Sequence, residues 1–136
     1  MPDVAGAYQL TLNVSDFLGL GTPDTVLVTA VSAQDFATGL IVAASEIIID
    51  LAVTQVTTQG NRQAFLNFLN QAVVAIQAGN SADAIQKLQN SIARTDGCPI
   101  RGSADGNGAG RDWITDCNAQ FEIYDLLNQA LDALTP

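Results

Sequence analysis

The chain has 136 residues, 14 acidic against 5 basic side chains, no His, and a formal net charge of −9. Such a chain is repelled by nucleic-acid phosphates and anionic lipid, and without imidazole it has no His-dependent triad, imidazole metal site or neutral-pH switch. With 48% hydrophobic and 14% charged residues it is a folding chain rather than a disordered one, of about one domain.

The first residues, Met-Pro-Asp-Val-Ala-Gly, carry neither the basic region nor the apolar region of a signal peptide. Residues 7–14 alternate, with Tyr8, Leu10, Leu12 and Val14 on one side and Ala7, Gln9, Thr11 and Asn13 on the other. Period two predicts a half-buried strand. Gly19, Gly21 and Pro23 punctuate a loop over 15–24. A second strand is predicted over 25–31, where Val26, Val28 and Ala30 alternate with Leu27, Thr29 and Val31. The two form a β-hairpin, which alone is marginal in water and must pack on something else.

After Ser32, a capping residue with Asp35 three positions on, the period becomes helical. The first helix is predicted over 34–53, with apolar residues at 36, 40, 41, 44, 47, 48, 51 and 52. Ser45, Glu46 and Asp50 interrupt its apolar stretch, which is too short and too acidic to span a bilayer, so no membrane insertion is expected. The second helix runs over about 59–78 on a stripe of Phe65, Leu69, Ala72, Val73 and Ile76, flanked by Leu66 and Phe68, and Gly79 suits its C-terminus. Asn80 or Ser81 caps a third helix carrying Ala84, Ile85, Leu88 and Ile92. The short link makes these two an antiparallel helical hairpin. A long loop follows over 95–117, and a fourth helix over about 116–134 with Phe121, Tyr124, Leu127, Leu131 and Leu134 inward. The fold class is therefore mainly α: a three- to four-helix bundle with an N-terminal β-hairpin and a disulfide-bridged Gly/Asp-rich loop. The division is 1–32 for the hairpin and 33–136 for the helical module.

Cys98 and Cys117 flank the loop and belong to no CxxC pair, and two thiols without His cannot complete a four-ligand zinc site. A disulfide is the simplest reading, worth about 3 kcal/mol by loop entropy, and it implies an oxidising, extracellular location. Two reduced, buried thiols are the alternative. A secreted chain without a signal reads as an excised fragment, with Met1 an added start.

The loop is rich enough in oxygen for a calcium test. With Asp105 as position 1 of an EF-hand-type loop, Asn107 falls at 3, Gly110 at 6, the Arg111 carbonyl at 7 and Asp116 at 12. Ala109 brings no side-chain oxygen to position 5, and Asp116 is shorter than the usual Glu. A different cage would use Asp96, Asp105, Asn107, Asp112 and Asp116 with backbone carbonyls. The plain alternative is a loop pinned by the disulfide, with Asp112 or Asp116 capping the last helix and Arg101 and Arg111 pairing with the acids. Trp113 is either a hydrophobic plug between loop and helices or an exposed platform for sugar stacking. Asn13-Val14-Ser15 fits a glycosylation sequon. Glu46 and Glu122 are the only Glu residues, both on helices with no cleft implied, so no catalytic residue is assigned.

Pro2-Asp3-Val4-Ala5-Gly6-Ala7-Tyr8, followed by Leu10, Leu12, Val14 and Asp16, resembles the end of an immunoglobulin-like domain of the polycystic-kidney-disease repeat type. Tyr8 would be its tyrosine corner, and Pro23-Asp24-Thr25-Val26 would lead into its last strand. The other strands of such a sandwich are absent, leaving edges that invite pairing with another chain. Residues 43–134 resemble the helical C-terminal modules of large secreted bacterial proteins called FIMAH. The runs Asn61 to Ile92, Arg94-Thr95-Asp96-Gly97-Cys98, Asp105-Gly106-Asn107-Gly108 and Gly110 to Cys117 carry that resemblance. It implies a non-catalytic accessory or structural module, secreted or at the cell surface, behind immunoglobulin-like repeats. A carbohydrate- or surface-binding module using Trp113, and a subunit self-associating through the hairpin edges, are the alternatives.

Overall fold

The structure, a computed structural model, describes residues 5–12, 15–16, 19–20, 24–98 and 112–135. The chain divides into two compact units, Met1–Ser32 and Ala33–Pro136.

The first unit is a ribbon. Strand β1 (Gly6–Leu12) runs antiparallel to β4 (Asp24–Ala30) in unbroken register, from Gly6 opposite Ala30 to Leu12 opposite Asp24. Between them β2 (Ser15–Asp16) pairs with β3 (Gly19–Leu20), where a loop alone was expected. Two paired strands already hold the chain in hairpin geometry, so its backbone groups keep pairing toward the reversal. The register fixes the faces. Tyr8, Leu10, Val26 and Val28 share one; Ala7, Gln9, Thr11, Thr25, Leu27 and Thr29 share the other.

The second unit is mainly helical, with four α-helices among the described residues: α1 (Ala33–Asp50), α2 (Gln59–Gln77), α3 (Ser81–Ile92) and α4 (Cys117–Leu134). Helix α1 packs most extensively on α4, and α2 on α3; α1 also meets α2, and α3 meets α4. The bundle is thus closed by its first and last helices. One core runs through it, built on Ile41, Ile48, Phe65, Leu69, Leu88, Ile123 and Leu127.

Local chemistry sets the helix ends. The Asn61 N–H donates to Thr58 Oγ1 at 3.0 Å at the start of α2, and the Asp83 N–H donates to Asn80 Oδ1 at 3.2 Å at the start of α3. Between them Gly79 has φ +73°, a left-handed conformation that glycine adopts without strain. Helix α1 stops at Asp50, short of residue 53, because the chain turns into a 3₁₀ turn at Val53–Gln55, and the Arg62 guanidinium donates to the Leu51 carbonyl.

The apolar stripe of α1 is largely the expected one, with Ile41, Ala44, Ile48 and Leu51 buried, whereas that of α4 is rotated. On α1 the buried residues are Ala37, Ile41, Ala44 and Ile48, while Phe36 is exposed and Leu40 and Ile47 are half-buried. On α4 they are Ala119, Gln120, Ile123, Leu127, Ala130 and Leu134. Phe121, expected inside, is 41% exposed, and Tyr124 and Leu131 are half-buried. The reason lies in the α1–α4 contact. Small residues on both helices let the backbones approach closely, which pushes the larger side chains to the flanks.

Candidate functional site

The residues singled out by the sequence meet at the root of the loop, between the end of α3 and the start of α4. After α3 the chain turns tightly: the Thr95 N–H donates to the Ile92 carbonyl at 2.9 Å, and the Thr95 hydroxyl donates to the same oxygen at 3.0 Å. Thr95 is fully buried, so this double bond to one carbonyl satisfies it locally. Asp96 follows, only 4% exposed, then Gly97 and Cys98.

On the other side of the loop Asp112, also 4% exposed, faces these residues. Its Oδ2 accepts from the Gly97 N–H at 2.9 Å and from Gln120 Nε2 at 3.1 Å. Gln120, on the first turn of α4, is the centre of the site and is 2% exposed. Its Oε1 accepts from the Cys98 N–H at 3.2 Å, and its Nε2 also donates to the Ile114 carbonyl at 2.6 Å. One amide therefore joins three backbone or side-chain groups from both ends of the loop. The Cys98–Cys117 disulfide, with Cα atoms 5.7 Å apart, closes the same gap covalently.

Trp113 lies beside this clamp. Its N–H donates to the Arg94 carbonyl at 3.0 Å, and its carbonyl accepts from the Thr57 N–H at 3.0 Å. The indole meets Phe65 edge-on at 6.2 Å and stacks on Phe68 at 5.9 Å, while the Arg94 guanidinium sits over the ring at 4.7 Å. This is the geometry of a plug between loop and helices, held by burial and cation–π attraction. Val56 and Ile114 form a β-bridge, and the Thr115 N–H donates to the Gln55 carbonyl at 2.9 Å. That bridge ties the α1–α2 connection to the exit of the loop.

The acids proposed as metal ligands separate into two groups. Asp116 caps α4, its Oδ1 accepting from the Ala119 N–H at 2.9 Å, and Asp112 serves the clamp. Asp105, Asn107 and Arg111 lie outside the described residues, as do Arg101 and Asn13. Among the described residues no three acidic or Cys side chains gather around a point that could hold a metal. Asp96, Asp112 and Asp116 alone therefore do not make a calcium cage, which needs six to eight oxygens. Glu46 on α1 and Glu122 on α4 are both exposed, on different helices. The residue that sequence reasoning missed is Gln120. Its signal was its place at the head of the spacing Gln120, Ile123, Leu127, Ala130, Leu134, which is the inner face of α4.

Compared with known proteins, the chain matches no family model, no curated protein and no solved structure.

The clamp and the disulfide close the loop side by side, which leads to a clean expectation. Replacing both Cys98 and Cys117 by Ser should lower stability by about 3 kcal/mol in urea unfolding, from the freed loop entropy of the unfolded chain. The far-UV helical signal should persist at 25 °C, because Gln120 and Asp112 still join the loop ends. Complete loss of that signal would show the clamp to be too weak for this role.

Proposed function

We propose that the protein is a non-catalytic structural module of an extracellular or surface protein, of the FIMAH-like kind its sequence resembles. The observation that carries this reading is how the polar side chains of the loop root are used. Gln120, Asp112, Asp116 and Thr95 are spent on backbone N–H and C=O groups, and the two cysteines on a covalent staple. Such an arrangement fixes a loop to a bundle. The disulfide is compatible with an oxidising compartment, and no helix among the described residues is long and apolar enough to cross a membrane.

The test is the redox state and place of the protein in the cells that make it. Thiol alkylation followed by mass spectrometry should find it outside the cytoplasm with Cys98 and Cys117 joined. Recovery only from the cytoplasm with both thiols reduced overturns the reading.

Calcium, as a stabiliser of the loop, is the narrower part of this proposal. It rests on Asp105, Asn107 and the Arg111 carbonyl completing what Asp96, Asp112 and Asp116 begin. An extracellular-type site of about 0.1–1 mM affinity would stabilise the fold by about 1.4–2.7 kcal/mol at about 10 mM calcium. The melting temperature in calcium should therefore exceed that in chelator by several degrees; equal values remove calcium from the proposal.

A further inference from the structure

The two halves of the staple stand in different surroundings. The chain reaches Cys98 through Thr95 and Asp96, both buried, and Cys98 itself is 8% exposed. Cys117 opens α4 and is exposed, in a stretch where Thr115 and Asn118 are exposed as well. One bond thus joins a sheltered half-cystine to an open one.

A disulfide exchanges when a thiolate attacks one of its sulfurs in line with the S–S bond and expels the other, so access helps decide which sulfur is attacked. From solvent the open path leads to Cys117. Burial disfavours the charge on Cys98 as it leaves, which slows the step. It does not redirect the step, because attack on Cys98 first requires the loop root to open.

Cys98 stays in place once it is released, because backbone bonds that do not involve its sulfur hold it. The Cys98 N–H donates to Gln120 Oε1 at 3.2 Å, and the Gly97 N–H donates to Asp112 Oδ2 at 2.9 Å. Gln120 lies on the first turn of α4, three residues beyond Cys117, and its Nε2 donates to the same Asp112 oxygen at 3.1 Å. The clamp therefore keeps Cys98 beside Cys117 when the bond between them is broken.

We propose that Cys117 is the exchange site of this disulfide, the sulfur on which an aliphatic thiol forms its mixed disulfide, and that Cys98 is the resolving thiol. In the first step the external thiolate bonds to Cys117 Sγ and the Cys98–Cys117 bond breaks. Cys98 leaves as a thiolate and takes a proton from water. In the reverse step the Cys98 thiolate attacks Cys117 Sγ and returns the external thiol. Full reduction needs a second external thiolate, which attacks the sulfur of the first. The two external thiols leave as one disulfide, Cys117 becomes a thiolate, and two electrons have passed to the protein.

The test uses the full wild-type chain with glutathione as the thiol. Brief exposure, an acid quench, and alkylation by N-ethylmaleimide in denaturant preserve the state of each sulfur for peptide mass spectrometry. Among molecules carrying one glutathione, those with it on Cys117 and maleimide on Cys98 should outnumber the reverse by about tenfold or more, since attack on Cys98 waits on a rarely populated local opening. In strong urea the bias should vanish, because both sulfurs are then open. A second measurement uses Cys98→Ser and Cys117→Ser, each checked for native helical signal by circular dichroism. The thiol left at Cys117 should react with dithiobisnitrobenzoate about tenfold or more faster than the thiol left at Cys98. The wild-type experiment decides alone should either variant lose its helices. Glutathione spread evenly over the two sulfurs, or favouring Cys98, overturns the proposal. So does a bias that persists in urea, which would come from neighbours along the chain instead of the fold, or equal thiol rates in two folded variants. These outcomes depend on neither compartment nor calcium, so the proposed function is tested apart from them.

Discussion

Replacing Gln120 by Leu is expected to destabilise the helical unit by about 3 kcal/mol, although the two side chains are similar in size. Gln120 is almost wholly buried, and its amide serves the Cys98 N–H, the Asp112 carboxylate and the Ile114 carbonyl. Leucine leaves a buried donor and a buried carbonyl unsatisfied, at about 1–3 kcal/mol each, partly offset by its apolar packing. The melting temperature should fall by about 12–24 °C at 4–8 °C per kcal/mol. Gln120→Glu should cost at least as much. It keeps an acceptor for Cys98 but sets a second carboxylate beside Asp112 and takes away both donated bonds. Urea unfolding of the two variants checks this; a loss below about 1 kcal/mol in both would mean that water replaces the amide at no cost.

Replacing Phe65 by Ala is expected to cost about 4 kcal/mol, the middle of the range for a fully buried Phe. Phe65 has no exposed surface and lies in the core of α2. It also supplies the edge contact that supports the indole of Trp113. The variant should therefore show two coupled changes. Chemical unfolding reports the lost stability. The emission of Trp113, the only Trp in the chain, should shift to longer wavelength as water reaches the ring. Lost stability with unchanged emission would mean that Phe68 and Arg94 alone hold the indole.

These two residues differ in how readily the sequence betrayed them. Phe65 sits on a stripe with Leu69, Ala72 and Ile76, and helical periodicity alone put it inside. The hairpin was equally legible, because Tyr8 and Leu10 alternate with Gln9 and Thr11, and Val26 and Val28 recur at the same period of two across the turn residues. Helices α1 and α4 were placed well along the chain, and α1 with its inner face nearly right, but α4 was turned about its axis. Their apolar residues cover more than one face, and the choice falls to close contact at Ala37, Ala44, Ala119 and Ala130, small residues that carry little hydropathic signal. Gln120 was invisible for a related reason. A Gln on a helix reads as surface, and its partners lie as far away as Cys98. The Val56–Ile114 bridge joins residues whose pairing depends on the whole bundle having formed. Cys98 and Cys117 were legible as a bridge because nothing else in the chain gave two isolated cysteines a use, and the structure joins them.

The pairing of α1 with α4 also governs when the protein can fold. Helices α2 and α3 are neighbours in the chain and pack as soon as both exist. Helix α1 must wait for residues 117–134, the last of the four described helices to be synthesised. Emerging at about 5–20 residues per second, the nascent chain keeps Ala37, Ile41, Ala44 and Ile48 without their main cover for several seconds. The disulfide likewise cannot form before Cys117 appears. The staple and the seam between α1 and α4 therefore close in the same late step of this unit's folding.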